Sequence, residues 1–405
     1  MYVYSGMLKY ILSALCILTG LSASATELIH FHSKTETFVS QKCNDRFAVD
    51  IHVPKTYDPR SQRHLPVLLL FDSQNENTHR HNLSSIDMLT YHGQMPELLV
   101  VGIAFSEENR YALTSHQKLV HNQSSGLEAT AQMLFTELLP QLREKYGANG
   151  PVLVLGHSRT AYLVNYLYTL HGNKLAFAGC FSGFFEPGCT RSDFQKALLR
   201  FSEQQHGPAY YASWGTDPWQ EAPYATALRG IDSMVLGLPG AARVRVQSHA
   251  GAGHLMNHNL SVPAALSWFF APYAELFNRW LYEEVKKVPA DSLLPQLNRA
   301  YATLTPQLGG RIDVPLDAYI SFGNVLWQQE QWAAMEALLQ QGKSTFPTDY
   351  ELHYLLALSL KKQGKTAAYE QITSGETKRA QGDPQLNESE KKEIISAYQE
   401  LASEP

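Results

Sequence analysis

The sequence predicts an α/β fold with a mostly parallel sheet, followed by an all-helical region. Three observations carry this. Short apolar runs recur from Thr35 to about Phe270: Leu65 to Phe71, Glu97 to Phe105, Pro151 to Leu155, Leu175 to Phe181 and Ala209 to Trp214. Such runs suit parallel strands buried on both faces. Helical spacing fills the gaps between them, and alternation of strand and helix implies a parallel sheet. Beyond Phe270 the β-branched runs stop, and Leu, Ala, Gln, Glu and Lys take over.

Taken in order, Phe47, Val49, Ile51 and Val53 alternate with other residues, as in a half-buried strand. Leu127, Ala131, Leu134, Leu138 and Leu142 share one helix face, with Ser124 or Ser125 as N-cap and Gly147 as C-cap. Ala161 to Leu170 predicts a second helix ending at Gly172. The segment Glu186 to His206 carries no strand and is expected to form a helical cap over the carboxyl edge of the sheet. Ala242 to His249 returns to alternation, as at a sheet edge. Val288-Pro289-Ala290 lies near the border with the helical part. There Pro315-Leu316, Tyr319, Phe322, Gly323, Leu326, Ala334, Leu339 and Pro347 follow a period of 34, and Leu356, Ala357 and Leu360 repeat it. This resembles one clear tetratricopeptide unit and one degenerate unit. The expected division is a signal segment (1–25), an α/β domain (26–270), a helical connector (271–314), tetratricopeptide-like repeats (315–383) and a charged, frayed tail (384–405).

Composition narrows the function. The chain has 405 residues, 44% hydrophobic and 18% charged, with no charge runs, which excludes global disorder. Its net charge of −5 lacks the basic footprint of a nucleic-acid binder. Lys9, an apolar run from Tyr10 to Leu18 and Ala23-Ser24-Ala25 read as a secretory signal with a cleavage site. The run is shorter than the roughly 20 residues of a membrane span. The chain is therefore expected to be exported, periplasmic or secreted, with no transmembrane anchor after cleavage. Loss of Lys9 leaves 32 basic against 38 acidic residues, a net of −6. Three of four cysteines remain: Cys43, Cys180 and Cys189. Cys180 and Cys189, nine apart with Gly183, Pro187 and Gly188 between them, are the disulfide candidate.

Val152 to Thr160 reads V-L-V-L-G-H-S-R-T. A strand running into Gly-x-Ser and then a helix is the shape of a nucleophile elbow, with Ser158 at the tip. About two Gly-x-Ser matches arise by chance in such a chain. Gly20 to Ser22 and Gly342 to Ser344 are two more, but they lack this setting. A serine nucleophile needs a base and an orienting acid. Asp217 lies at the end of one later strand, with Glu221 as its rival. His254 lies beyond the next strand, with His258 and His249 as rivals. The expected oxyanion donors are the backbone N–H groups of Arg159 and Gln74. The Arg159 side chain either meets a negative charge on a substrate or packs at the surface.

Arg46 to Tyr57 (RFAVDIHVPKTY), LPVLLLFD, FTELLPQLREKYG, VLVLGHSRTA and His254 to Phe270 (HLMNHNLSVPAALSWFF) resemble one esterase family. It includes S-formylglutathione hydrolase, ferric-siderophore esterases and mycolyltransferases, all α/β-hydrolases, and some bacterial relatives carry tetratricopeptide-like tails. The similarity spans about residues 35 to 270. It implies a Ser–His–acid esterase, carried onto Ser158, His254 and Asp217. The sequence departs from the family at Thr160, where a second Gly is usual, and at Ser73, where Gly often follows the Asp. The expected activity is an exported serine esterase acting on a small-molecule ester through an acyl-enzyme, without metal or cofactor. An inactive hydrolase-fold scaffold with a protein partner on its repeats, or an acyltransferase, are the alternatives. The pocket is expected to be shaped by Glu186 to His206 and the loop after Asp72. The close pairs His30/His32, His79/His81 and His254/His258 form no H-E-x-x-H, and no Cys pair has zinc spacing.

Overall fold

A computed structural model describes residues 28 to 403, apart from 29, 60, 62, 121, 122 and 385. The signal segment expected at 1–25 lies outside the described residues. The apolar runs form a sheet of eight strands: β1 (Phe31–Ser40), β2 (Asp45–Pro54), β3 (Val67–Phe71), β4 (Leu99–Ala104), β5 (Val152–His157), β6 (Phe177–Phe181), β7 (Ala209–Gly215) and β8 (Val244–His249). Their spatial order is β1-β2-β4-β3-β5-β6-β7-β8. β1 and β2 are antiparallel to their neighbours, and from β4 to β8 every pairing is parallel. Every residue of β3, β6 and β7 is buried, whereas β8, at the edge, is half-exposed. That contrast matches the continuous apolar runs in the first three and the alternation in the last.

The connections supply the helices: α1 (Glu76–Tyr91), α2 (Glu107–Leu113), α3 (Gly126–Gln132), α4 (Leu139–Tyr146), α5 (Arg159–His171), α6 (Arg191–Ser202), α7 (Ala222–Leu228) and α8 (His254–Phe269). Ser125 caps α3 through its hydroxyl, and Gly147 ends α4 in the left-handed conformation. A π-helical turn (Met133–Leu138) joins α3 to α4. Helix α1 was not anticipated, since its sequence is polar and carries little apolar stripe. Asn75 begins it by accepting the Thr78 N–H. α6 packs through Phe194 and Phe201 against Tyr168 of α5.

The chain continues through α9 (Ala271–Arg279), a π-helical turn (Trp280–Glu284), α10 (Leu293–Ala302), α11 (Leu304–Leu308), α12 (Leu316–Gln328), α13 (Trp332–Thr345), α14 (Tyr350–Lys362), α15 (Thr366–Gly382) and α16 (Glu388–Ser403). It divides into two units. One holds the sheet and comprises Leu28–Phe277 and Asn298–Asp313; the other comprises Asn278–Leu297 and 314–403. The border is thus crossed three times rather than once near Val288.

In the helical unit α12 and α14 begin at 316 and 350, and α13 and α15 at 332 and 366, an offset of 34 in both cases. At Gly342 of α13 both neighbouring helices, α12 and α14, approach closely. A Cβ there would lie 2.7 Å from Leu352 and 2.9 Å from the Tyr319 ring. The tail expected to fray is instead helix α16. Its Tyr398 and Leu401 are buried, and the Tyr398 hydroxyl donates to the Tyr350 carbonyl at 2.9 Å. The apolar i, i+3 pair inside a charged stretch is what gives this helix a face to bury.

Leu153 sits in the central strand with no exposed surface. Leu153→Ala is expected to cost about 2 to 5 kcal/mol of unfolding free energy in urea denaturation, from lost transfer energy plus the cavity left behind.

Candidate active site

The carboxyl ends of β3 and β5 open on one cleft. Ser158 lies between β5 and α5, with φ of 56° and ψ of −116°. A side chain rarely tolerates that backbone, and the surroundings must hold it there. The Ser158 N–H donates to the Phe181 carbonyl of β6 at 2.9 Å, and the Ser158 carbonyl accepts from Ala161 at 3.1 Å. Gly156 makes the turn possible: a Cβ there would lie 2.4 Å from the Thr160 carbonyl oxygen. The elbow expected from the sequence therefore has the backbone that presents a serine above the sheet.

Ser158 and His254 line the same cleft, of about 250 Å³, with Asp72, Gln74, His79, Arg110, His157 and His258 among the other walls. His254 opens α8 and is held three ways. Its N–H donates to Gln220 Oε1 at 2.9 Å, and Tyr224 stacks on its ring at 4.8 Å. Its Nδ1 lies 2.5 Å from Glu221 Oε1.

Glu221, not Asp217, is the acid that meets His254. Asp217 Oδ1 instead accepts the N–H groups of Trp219 and Gln220, both at 2.9 Å, and so closes its own turn. Asp side chains are short enough to satisfy nearby backbone donors in this way. Glu221 is fully buried. Its Oε2 accepts the Gly215 N–H and the Ser182 hydroxyl, both at 2.8 Å. Asn257 Nδ2 in turn donates to the Ser182 hydroxyl at 2.8 Å. Ser182 and Asn257 were not singled out from the sequence. Each lies close in sequence to a candidate, but nothing local points it toward Glu221.

The rival histidines have other partners. His258 is buried and its Nε2 pairs with Asn82 Oδ1 at 3.0 Å. His249 pairs with the Ser261 hydroxyl at 3.2 Å. His157 Nε2 donates to the His254 carbonyl at 3.0 Å, and its ring lies 4.3 Å from that of His254. Desolvation, then the neighbouring His258 and His254, hold His157 well below the ordinary histidine range. His30 faces Asp87, His79 faces His52, and His81 faces the Asn259 carbonyl, so the close histidine pairs diverge into separate contacts.

The two expected oxyanion donors follow the carboxyl ends of the neighbouring parallel strands β3 and β5. Arg159 is the first residue of α5, so its N–H has no intrahelical acceptor. The N–H groups on either side of Gln74 are spent on Ile103 and Asp72. The Arg159 side chain is buried. It donates to Thr114 and Glu186 and lies 4.6 Å from the Tyr111 ring centroid, which makes it a packing residue. The cleft is walled by the loop after Asp72 and by α1, through Thr78, His79 and Asn82. No residue of 186–206 lines it, because α6 lies instead against α5.

Cys180 and Cys189 are not bonded to each other; both are free and buried, as is Cys43. Cys180 Sγ meets the Ala161 carbonyl, and Cys189 Sγ meets the Thr169 hydroxyl. Each thiol is thus turned to its own partner on α5 rather than to the other. Burial pushes the Cys180 thiol up to about 12 and the Cys189 thiol up to about 11.

The parallel sheet, the elbow and the helical connections define an α/β-hydrolase. Residues 40–348 match the family described as "Putative esterase", and the chain belongs to it. The match runs past the sheet into the helical unit. An uncharacterised protein from Capnocytophaga ochracea is similar in structure at TM-score 0.56 and 16% identity, covering 92% of this chain and 100% of that one. An IroE-like serine hydrolase from Shewanella oneidensis is similar at TM-score 0.59 and 13% identity, covering 77% and 99%. BES protein from Bacillus cereus is similar at TM-score 0.50 and 12% identity, covering 61% and 98%. At these identities the likeness concerns the fold. No curated protein matches the sequence.

Burial lowers the His258 and His52 pKa to about 4. The unfolded chain then takes up these protons first. The stability they contribute is complete above about pH 6.5 and is lost as pH falls toward 4. Urea midpoints are expected to fall across that window, and His258→Gln is expected to shallow the slope by about one proton's worth. A slope unchanged by His258→Gln would contradict it.

Proposed function

We propose that this member of the esterase family is a serine esterase whose triad is Ser158, His254 and Glu221. The observation that carries the reading is the short His254–Glu221 contact beside the strained Ser158 elbow, in one cleft. With Nδ1 committed to Glu221, His254 has Nε2 free to act as a base. Ser158 Oγ attacks the ester carbonyl and His254 Nε2 takes its proton. The backbone N–H groups of Arg159 and Gln74 receive the negative charge on the carbonyl oxygen. The tetrahedral intermediate then collapses, and His254 returns the proton to the departing alcohol. Water, activated by the same imidazole, releases the acid from Ser158. The buried Glu221 carboxylate fixes the tautomer and stabilises the imidazolium while it lasts. The description of the Shewanella oneidensis neighbour as a serine hydrolase agrees with this reading. We place the reaction outside the cytoplasm, on the leader pattern in residues 1–25.

A fluorophosphonate probe is expected to label the protein, and Ser158→Ala to abolish labelling and ester hydrolysis together. Labelling that persists in Ser158→Ala would overturn the nucleophile.

The acid is tested separately with 4-nitrophenyl acetate. Glu221→Gln is expected to lower kcat by about two to four orders of magnitude, as for acid-to-amide changes in such triads. Asp217→Asn, whose side chain bonds only within its own turn, is expected to stay within about tenfold. The opposite ranking would return the role to Asp217.

A further inference from the structure

We propose that Asp72, clamped by Arg110 and bonded to Thr160, is the positioning residue of the oxyanion hole, tying together the two backbone segments that supply its donors. The inference rests on the serine-esterase reading above. Asp72 immediately follows β3 and adopts φ of 66°, an unusual backbone for a residue with a side chain. Its carboxylate meets both sides of the hole. Oδ1 accepts from Gln74 Nε2 at 2.9 Å, on the same loop. Oδ2 lies 3.0 Å from the Thr160 hydroxyl, which follows Arg159 on α5.

Arg110 of α2 fixes the carboxylate plane, with Nε 2.6 Å from Oδ1 and Nη2 2.6 Å from Oδ2. A two-point contact of this kind leaves little freedom to rotate. Gln74 is pinned at its other end as well, since its Oε1 accepts the Phe105 N–H at 3.0 Å. The hydroxyl of Thr160 also accepts the His157 N–H at 3.1 Å. That hydroxyl has one proton to give. The His157 carbonyl is equally near at 3.0 Å, but a carboxylate is the stronger acceptor. Thr160 is thus fixed by the backbone just ahead of Ser158 and by Asp72.

The departure from the family at position 160 acquires a purpose here. A glycine at that place has no side chain to reach Asp72. Thr160 is fully buried, so its hydroxyl needs partners within the protein. The arrangement sets the separation of the Arg159 and Gln74 N–H groups before substrate arrives. Such preorganisation matters more in the transition state than in the ground state, because the charge appears only there.

The test uses the full chain and 4-nitrophenyl acetate, with unfolding midpoints measured for each variant. Thr160→Val keeps the shape and removes the hydroxyl. It is expected to lower kcat by about ten- to a hundredfold with KM changed by less than about threefold. Thr160→Ser restores the hydroxyl and is expected to recover at least half of the wild-type kcat. Asp72→Asn in the Thr160→Val background is expected to add little, since both act through one link. The proposal alone is overturned by a wild type that is labelled by the fluorophosphonate and hydrolyses the ester while Thr160→Val matches it in kcat. It is also overturned if Thr160→Ser is as impaired as Thr160→Val, or if the loss lies in KM. A wild type that is neither labelled nor active overturns the esterase reading and this proposal with it.

Discussion

The site depends on one buried carboxylate. Glu221 has no exposed surface, and a charge in that position is costly unless it is paired and hydrogen-bonded. Its partners come from three places: Gly215 at the end of β7, Ser182 just past β6, and His254 at the start of α8. Satisfying one side chain therefore fixes two strand ends against a helix. Loss of any of the three contacts leaves a buried carboxylate oxygen short of a partner, so the geometry around His254 is enforced by the cost of breaking it.

A second carboxylate does comparable work across the cleft. Asp72 joins the end of β3 to the segment after Ser158, with Arg110 balancing its charge. Both acids sit just beyond strand ends, as befits an open α/β sheet. There the parallel strands deliver their carboxyl termini to one edge, and the loops that leave them can converge. Three of the strained residues stand at the same edge: Asp72, Ser158 and Ser182 have φ between 48° and 66°. The strain is held by strand pairing on either side, since β3, β5 and β6 are neighbours in the buried middle of the sheet.

Much of the fold was legible because burial on both faces writes itself into composition. The runs Leu65 to Phe71 and Pro151 to Leu155 admit few readings other than central strands. Helix α1 was not legible, since a largely polar helix over the cleft, with only Leu83 and Ile86 buried among its apolar residues, has little apolar stripe to announce it. The frayed-tail reading of α16 failed for a related reason: two buried residues, Tyr398 and Leu401, are a weak signal among charges. The pairing of Cys180 with Cys189 was plausible along the chain, but in the fold both are free, and each thiol meets its own partner on α5.

The sequence by itself determined the elbow. Strand, Gly156, Ser158 and helix are local features, and a tight turn permits only a small residue where Gly156 stands. It also brought the candidate acid, Asp217, within four residues of the side chain that meets His254. Only the tertiary structure chose between Asp217 and Glu221. Both leave the same strand end, and the choice turns on which one reaches across to α8 and which one folds back on its own backbone. That is decided by side-chain length and by the donors waiting at Ser182 and Gly215, which lie far from His254 in sequence and meet it only in the folded chain.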